Sequence, residues 1–303
     1  MSYPNLSDAL KSLTGLDMPL PLPTFGLCVA VAMLVATEFF RRELQRLRPL
    51  GELRPVRPRR GGGSPAPVKD ERGLNELVST MAFVVLISGV LGARIFHILE
   101  NMPEFLAHPW PMIFSRSGLS IMGGLILGTF AGSLVAWRSG LPLRPMLDAA
   151  APALMIGYGL GRIGCQISGD GDWGTLANMA LKPDWLPTWL WAQIYENNIY
   201  GAVIAAPGVY PTPLYETAMA LPLFGLLWAM RRHPFSKGWL FAVYLLVAGA
   251  ERLLIEQIRV NPVLDFAGIH ATQAEMISCV FIVLGLTGIA SATVTSPAQT
   301  RKS

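Results

Sequence analysis

The sequence predicts an all-α, polytopic membrane protein with about seven transmembrane helices, its N-terminus outside and its C-terminus in the cytoplasm. Three observations carry this. Of 303 residues, 52% are hydrophobic and only 15% charged, against roughly 25% charged in an average soluble domain. The apolar residues come in long runs, at about 24–40, 77–99, 119–137, 146–165, 213–230, 238–258 and 271–292. A helix needs roughly 20 residues to cross the hydrocarbon core. The basic residues fall between the runs with a strong side bias. The expectation is therefore one integral membrane domain over residues 1–303.

The first run is followed by the most basic stretch of the chain. Residues 41–72 hold Arg41, Arg42, Arg46, Arg48, Arg54, Arg57, Arg59, Arg60, Lys69 and Arg72 around an Arg-Pro-Arg-Arg-Gly-Gly-Gly-Ser-Pro core. Such a composition predicts a disordered linker. Arg138 and Arg144 follow the third run, Arg231, Arg232 and Lys237 the fifth, and Arg301 and Lys302 close the chain. The opposite side carries only Lys11, Arg116, Lys182 and Arg259. The positive-inside bias makes the 41–72 linker cytoplasmic and the 166–212 loop an outer one. Trp185, Trp189, Trp191, Tyr195 and Tyr200 suit that loop to the membrane interface. The net charge of +4 thus speaks for topology and not for nucleic acid. Cys28, Cys165 and Cys279 lie in or beside apolar runs, without disulfide or metal-ligand spacing. No basic leader precedes the first run, so no signal peptide is expected.

With this orientation, the polar residues of the spans meet near the outer surface. Arg94, His97 and Glu100 end the second run, Arg162 the fourth, and Arg252, Glu256 and Arg259 the sixth. Ser120, Met122, Gly123 and Gly124 open the third run, Tyr215 and Glu216 the fifth, and His270, Gln273 and Glu275 the seventh. Arg252 lies about six residues, roughly 9 Å, below its helix end. Spacings of four and three put Arg252, Glu256 and Arg259 on one helix face. Charge inside a membrane span marks a functional site by default. A guanidinium fork suits phosphate because it gives paired hydrogen bonds and keeps its charge. The reading is an outward-opening, positively charged cavity for a phospholipid headgroup. Snorkelling and internal Arg–Glu pairing are the structural alternatives.

The densest stretch runs from Gly161 to Gly174, Gly-Arg-Ile-Gly-Cys-Gln-Ile-Ser-Gly-Asp-Gly-Asp-Trp-Gly. Gly159, Gly161 and Gly164 match a dinucleotide fingerprint in letters alone, since an apolar helical run and not a strand precedes them. Asp170 and Asp172 resemble the start of a calcium loop, but Gly174 and Leu181 stand where ligands are required. Gly124, Gly128 and Gly132 form a small-residue stripe for helix packing. Cys165 reads as an apolar-face cysteine or as a thiol activated by Arg162. His97 reads as a base at cavity level or as a hydrogen-bonded helix-end histidine.

Taken together, Gly92-Ala-Arg-Ile, Ser120-Ile-Met-Gly-Gly, Gly161-Arg-Ile-Gly through Trp173-Gly174, Tyr210-Pro-Thr-Pro-Leu-Tyr-Glu216, and Arg252 with Glu256 and Arg259 resemble the prolipoprotein diacylglyceryl transferases of the bacterial inner membrane. The motifs follow that family's order and cover most of residues 23–290, apart from 43–72 and 175–209. The resemblance implies a seven-span enzyme of lipoprotein biosynthesis. It would move the diacylglyceryl group of phosphatidylglycerol to the lipobox cysteine thiol of a preprolipoprotein, with glycerol-1-phosphate leaving.

Arg162, Arg252 and Glu256 are then the expected catalytic residues. Arg94, Gly123, Gly124, Asp170, Asp172, Gly174, Tyr215, Glu216 and Arg259 are expected to bind substrate. The family's signature acid falls on Asp170 or Asp172, and no metal or organic cofactor is implied. Met122 stands at the family's histidine before Gly-Gly, Cys165 at its asparagine, Phe25 at its first-span tyrosine and Tyr210 at its fifth-span histidine. These departures keep the phosphate-binding arginines and leave Glu256, His97, Asp170 and Asp172 as candidates to take the thiol proton. A non-catalytic phospholipid-binding relative and a related transferase with another acceptor are the alternatives. A transporter ranks below both, because the inner halves of the spans are apolar except for Glu38 and Asp148.

Overall fold

A computed structural model describes residues 2–16, 22–53, 71–114, 120–266 and 269–294. The helices are, in chain order, α1 (Leu6–Thr14), α2 (Thr24–Leu47), α3 (Glu71–Glu100), α4 (Met102–Ala107), α5 (Pro109–Phe114), α6 (Ile121–Arg138), α7 (Leu143–Ser168), α8 (Thr188–Trp191), α9 (Thr212–Met230), α10 (Trp239–Glu256) and α11 (Gln273–Val294). The predominantly helical class is as expected, and each of the seven apolar runs lies in a helix that matches it to within a few residues. Among them, α2, α3 and α11 are long and apolar enough to cross a membrane. The apolar run of α10 is interrupted by Glu251, Arg252 and Glu256. Phe83 and Val90 on α3 and Phe130 on α6 are more than half exposed, as lipid-facing side chains would be.

Two boundaries differ from expectation. The basic stretch at 41–72 starts inside α2, where Arg46 donates to Glu43 at 2.9 Å, and ends inside α3. Its Gly-rich core lies outside the described residues. The seventh run gives up its first two residues to a hairpin, β1 (Val263–Phe266) antiparallel to β2 (Ile269–Thr272). Helix α11 begins after Thr272, which accepts the amide of Glu275 at 3.1 Å while Glu275 accepts that of Thr272 at 2.8 Å. This is a reciprocal capping box, spelled Thr-Gln-Ala-Glu in the sequence.

Two compact units divide the chain, residues 40–146 and residues 1–39 with 147–303. The boundaries fall within α2 and α7. In the 40–146 unit, α3 and α6 pack at Gly92 and Gly123. A Cβ on Gly123 would stand 2.1 Å from the Gly92 carbonyl, and one on Gly92 2.3 Å from the Gly123 carbonyl. Ser120, before α6, donates from its amide to Ala93 and from its hydroxyl to Glu100, each at 2.9 Å.

In the other unit, Met155 and Ala151 of α7, Ala220 and Leu227 of α9, Trp239, Leu240 and Val243 of α10 and Ala292 of α11 form one apolar core. Asp148, buried on α7, accepts the backbone amides of Gly238 (2.7 Å) and Phe241 (2.9 Å). A carboxylate from another helix thus caps the start of α10, where orphan amides and the helix dipole favour negative charge. The segment between α7 and α9 is tied down by bridges of Val209 with Leu176 and Gln193 and by Tyr195. The Tyr195 ring is buried and its hydroxyl donates to Gln166 at 2.7 Å.

Candidate functional site: an arginine–carboxylate network

Three helices and one turn of the 147–303 unit bring the site together. Arg162 sits near the end of α7, Glu216 in the first turns of α9, Arg252 and Glu256 in the last turns of α10, and Arg259 just beyond α10. Glu216 is fully buried and is the hub. It lies 3.1 Å from Arg162 Nε, 3.1 Å from Arg252 Nη1 and 3.6 Å from Arg259 Nη1. Arg252 also pairs with Glu256 at 2.9 Å, one helical turn on. Asp172 joins Arg162 to Arg259, which it meets at 2.6 Å. The positive cavity expected from the sequence is therefore a balanced ion network, with three guanidinium groups facing Glu216, Glu256 and Asp172.

The supports are specific. Glu256 Oε1 accepts from Asn261 at 2.7 Å and from the Thr272 hydroxyl at 2.6 Å. The Thr212 hydroxyl donates to the Asp172 carbonyl at 2.6 Å. The turn holding Asp172 is stapled between α9 and α10. The Gly174 amide donates to Tyr210, and the Thr175 amide to Ile258, both at 2.8 Å. Any Cβ on Gly174 would lie 2.5 Å from the Ile258 carbonyl, so this glycine serves close backbone packing.

Burial works against ionisation of Asp172, but the charges of Arg162 and Arg259 outweigh it and hold the carboxyl down at about 2. Asp170 goes the other way, its proton affinity raised by burial and then by the Asp172 charge. Of the two acids at the signature position, Asp172 meets the arginines, while Asp170 accepts the Asp172 amide at 3.3 Å. Cys165, Asp170 and Asp172 each bring a ligand atom within 4.8 Å of the others. Two guanidinium groups already compensate Asp172, so the trio is supplied with positive charge by the chain itself.

Other expected residues lie elsewhere. The Tyr215 hydroxyl donates to the Leu190 carbonyl at 2.6 Å, tying the loop to α9. Arg94, Gly123 and Gly124 belong to the 40–146 unit. There Arg94 donates to the Met112 carbonyl at 3.2 Å, and Gly124 faces Gly89 across the α3–α6 contact. Two residues of the network escaped the sequence reading. Tyr158 places its hydroxyl 3.1 Å from Glu216 and 3.2 Å from Glu251. The signal for Tyr158 was its spacing of four from Arg162. Glu251 was hidden beside Arg252, although it is 5% exposed.

A family model described as prolipoprotein diacylglyceryl transferase matches residues 12–291. The chain belongs to this family. Similar proteins named phosphatidylglycerol–prolipoprotein diacylglyceryl transferase include that of Corynebacterium glutamicum, 27% identical over 83% of this chain and 74% of the relative. That of Geobacillus kaustophilus is 30% identical over 71% of this chain and 77% of the relative. That of Leptospira interrogans is 35% identical over 50% of this chain and 45% of the relative. At the positions where this diacylglyceryl transferase family member departs from the expected pattern, Cys165 lies 3.5 Å from Arg162 Nη1. Tyr210 accepts the Asn178 amide at 3.0 Å on its hydroxyl. Met122 is half-buried on α6.

Proposed function

We propose that this chain transfers the diacylglyceryl group of phosphatidylglycerol to the lipobox cysteine thiol of a preprolipoprotein, in the bacterial inner membrane, with the arginine network holding the donor phosphate. The observation that carries this is the state of the guanidinium groups. The Arg259 side chain is only 8% exposed, yet among the described residues its buried Nε has no hydrogen-bond partner, and its Nη1 has only the 3.6 Å ion pair with Glu216. Orphaned buried donors are rare and call for a ligand. Arg252 is a quarter exposed while its carboxylate partners are buried, so it forms the open side of the network.

In this reading the phosphate oxygens take hydrogen bonds from Arg162, Arg252 and Arg259. The lipobox sulfur attacks the glycerol carbon, a C–S bond forms, the C–O bond to phosphate breaks, and glycerol-1-phosphate leaves. The guanidinium groups stabilise the charge gathering on the leaving phosphate. Glu216 and Glu256 orient the arginines. The Glu256 oxygens, engaged by Arg252, Asn261 and Thr272, suit an anchor better than a base. Asp170, with its raised proton affinity and no ion pair among the described residues, takes the thiol proton.

The Lys/Arg distribution supports seven spans in one membrane domain, the N-terminus outside, the 41–72 linker in the cytoplasm and the 166–212 loop in the periplasm. A cysteine introduced at Asn178 should label from outside in intact cells, and one at Ser64 only after permeabilisation. The reverse pattern overturns this topology.

The test of function is transfer of labelled diacylglyceryl from phosphatidylglycerol to a lipobox peptide in detergent. Lysine keeps the charge but not the fork, so Arg162→Lys and Arg252→Lys should fail nearly as badly as the alanine variants. Loss of one desolvated charge contact costs roughly 2–5 kcal/mol, or on the order of tens to thousands of fold. Lysine variants at wild-type rates would sink the fork. Wild-type protein that binds phosphatidylglycerol without transferring it is the non-catalytic relative, a reading favoured by Met122, Cys165 and Phe25.

A further inference from the structure

Glu251 is the one carboxylate of this cluster that the phosphate reading does not use. It is buried on α10, and both of its oxygens lie within 3.3 Å of the Tyr158 hydroxyl. Around it stand Tyr158 and Arg162 from α7, Glu216 from α9, and Arg252 and Tyr244 from α10 itself. Among the described residues no arginine, lysine or histidine forms an ion pair with it, because Arg162 and Arg252 are turned to Glu216, Asp172 and Glu256.

Three guanidinium groups are thus matched by Glu216, Glu256 and Asp172 before Asp170 and Glu251 are counted. An ionised Glu251 would be a further, uncompensated buried charge, which costs several kcal/mol. The hydrogen bonds point the same way. A phenol has one proton to give, yet Tyr158 lies within bonding distance of two carboxyl groups. If Tyr158 donates to Glu216, its contact with Glu251 is a hydrogen bond only when Glu251 supplies the proton.

We infer that Glu251 is a neutral acid in the resting protein and a proton reserve for Glu216. The inference rests on the reading of the arginines as a phosphate site. A phosphate entering the forks competes with Glu216 for all three arginines. As it does so, the Glu251 proton passes to the Tyr158 oxygen and the Tyr158 proton passes to Glu216. One O–H bond breaks and one forms at each step, for a net movement of one proton. The negative charge moves from beside the phosphate to the far side of the phenol. Tyr158 and Glu251 are positioning residues in this scheme and touch no substrate.

The experiment is infrared difference spectroscopy of the full-length protein in detergent, with phosphatidylglycerol micelles or soluble glycerol phosphate as probe and no acceptor peptide. Wild type should show a protonated-carboxyl band that Glu251→Gln removes and that shifts when either probe binds. Tyr158→Phe should keep the band but lose the shift. Glutamine can donate to Tyr158 but has no proton to lend, so Glu251→Gln should bind phosphatidylglycerol about tenfold more weakly. Glu251→Asp should restore part of the binding together with a protonated-carboxyl band that shifts on binding, which a purely structural residue would not. A band untouched by Glu251→Gln, a band unmoved by a bound probe, or no probe binding at all overturns the inference. A shift with glycerol phosphate but no binding of phosphatidylglycerol leaves the proton reserve standing and removes the lipid donor.

Discussion

The hydroxyl of Thr272 donates to Oε1 of Glu256 across 2.6 Å, so the carboxylate that fixes Arg252 is itself fixed from the start of α11. Removing the hydroxyl while keeping the branched shape tests that link. Thr272→Val should lose the bond to Glu256 and the cap of α11, costing about 1–2 kcal/mol of stability. Transfer should slow roughly tenfold as Arg252 loses its orientation. Thr272→Ser should retain both. Thermal unfolding in detergent and the transfer assay, run side by side, check this.

Gly174 tests the staple that holds the Asp172 turn. A methyl group there meets the Ile258 carbonyl at 2.5 Å, and neither backbone can yield without moving Arg259 or Asp172. Gly174→Ala should cost about 1–3 kcal/mol, as overpacking does. It should lower kcat/KM for transfer as well. Unchanged melting and unchanged rate would show that the turn is slack.

Asp172 makes the network sensitive to acid. Its pKa is depressed to about 2 from an ordinary value near 3.9. The stability it contributes is present in full above the ordinary value and is lost as pH falls through about 2. A shift of this size corresponds to about 2–3 kcal/mol. The stability difference between wild type and Asp172→Asn should therefore be constant near neutrality and shrink between about pH 4 and 2. Denaturation at a series of pH values measures it.

Met122 cannot take or give a proton, so the reaction here must manage without a base at that position. Met122→Ala should keep most of the transfer activity, since only packing is lost. Loss to background in a normally folded Met122→Ala variant would show that this side chain takes a more direct part.

The helical class and the charged ends of the runs were legible because length, hydropathy and the Lys/Arg bias are local signals. The Arg252–Glu256 pair was legible for the same reason, lying one turn apart on one helix. Glu216 as the hub of three arginines was not, because its partners come from segments 36 to 54 residues away on either side. Asp172 could not be separated from Asp170 by sequence, since only the turn decides which carboxylate faces Arg162 and Arg259. Glu251 was masked by Arg252, whose charge drew attention to one face of a helix that uses two.

Helices α7 and α10 are pinned to each other twice, by Asp148 on the first turn of α10 and by Tyr158 on Glu251 near its last. Two fixings on one pair of rods remove both sliding and splaying. The spacing between Arg162 on one rod and Arg252 on the other is therefore set during folding. On the proposed reading, a headgroup arriving from the lipid would meet forks already at their working separation, with the ordering cost of assembling them met beforehand. Loosening Asp148, at the opposite end of α10 from both forks, should then weaken capture of the lipid without touching a residue that contacts it.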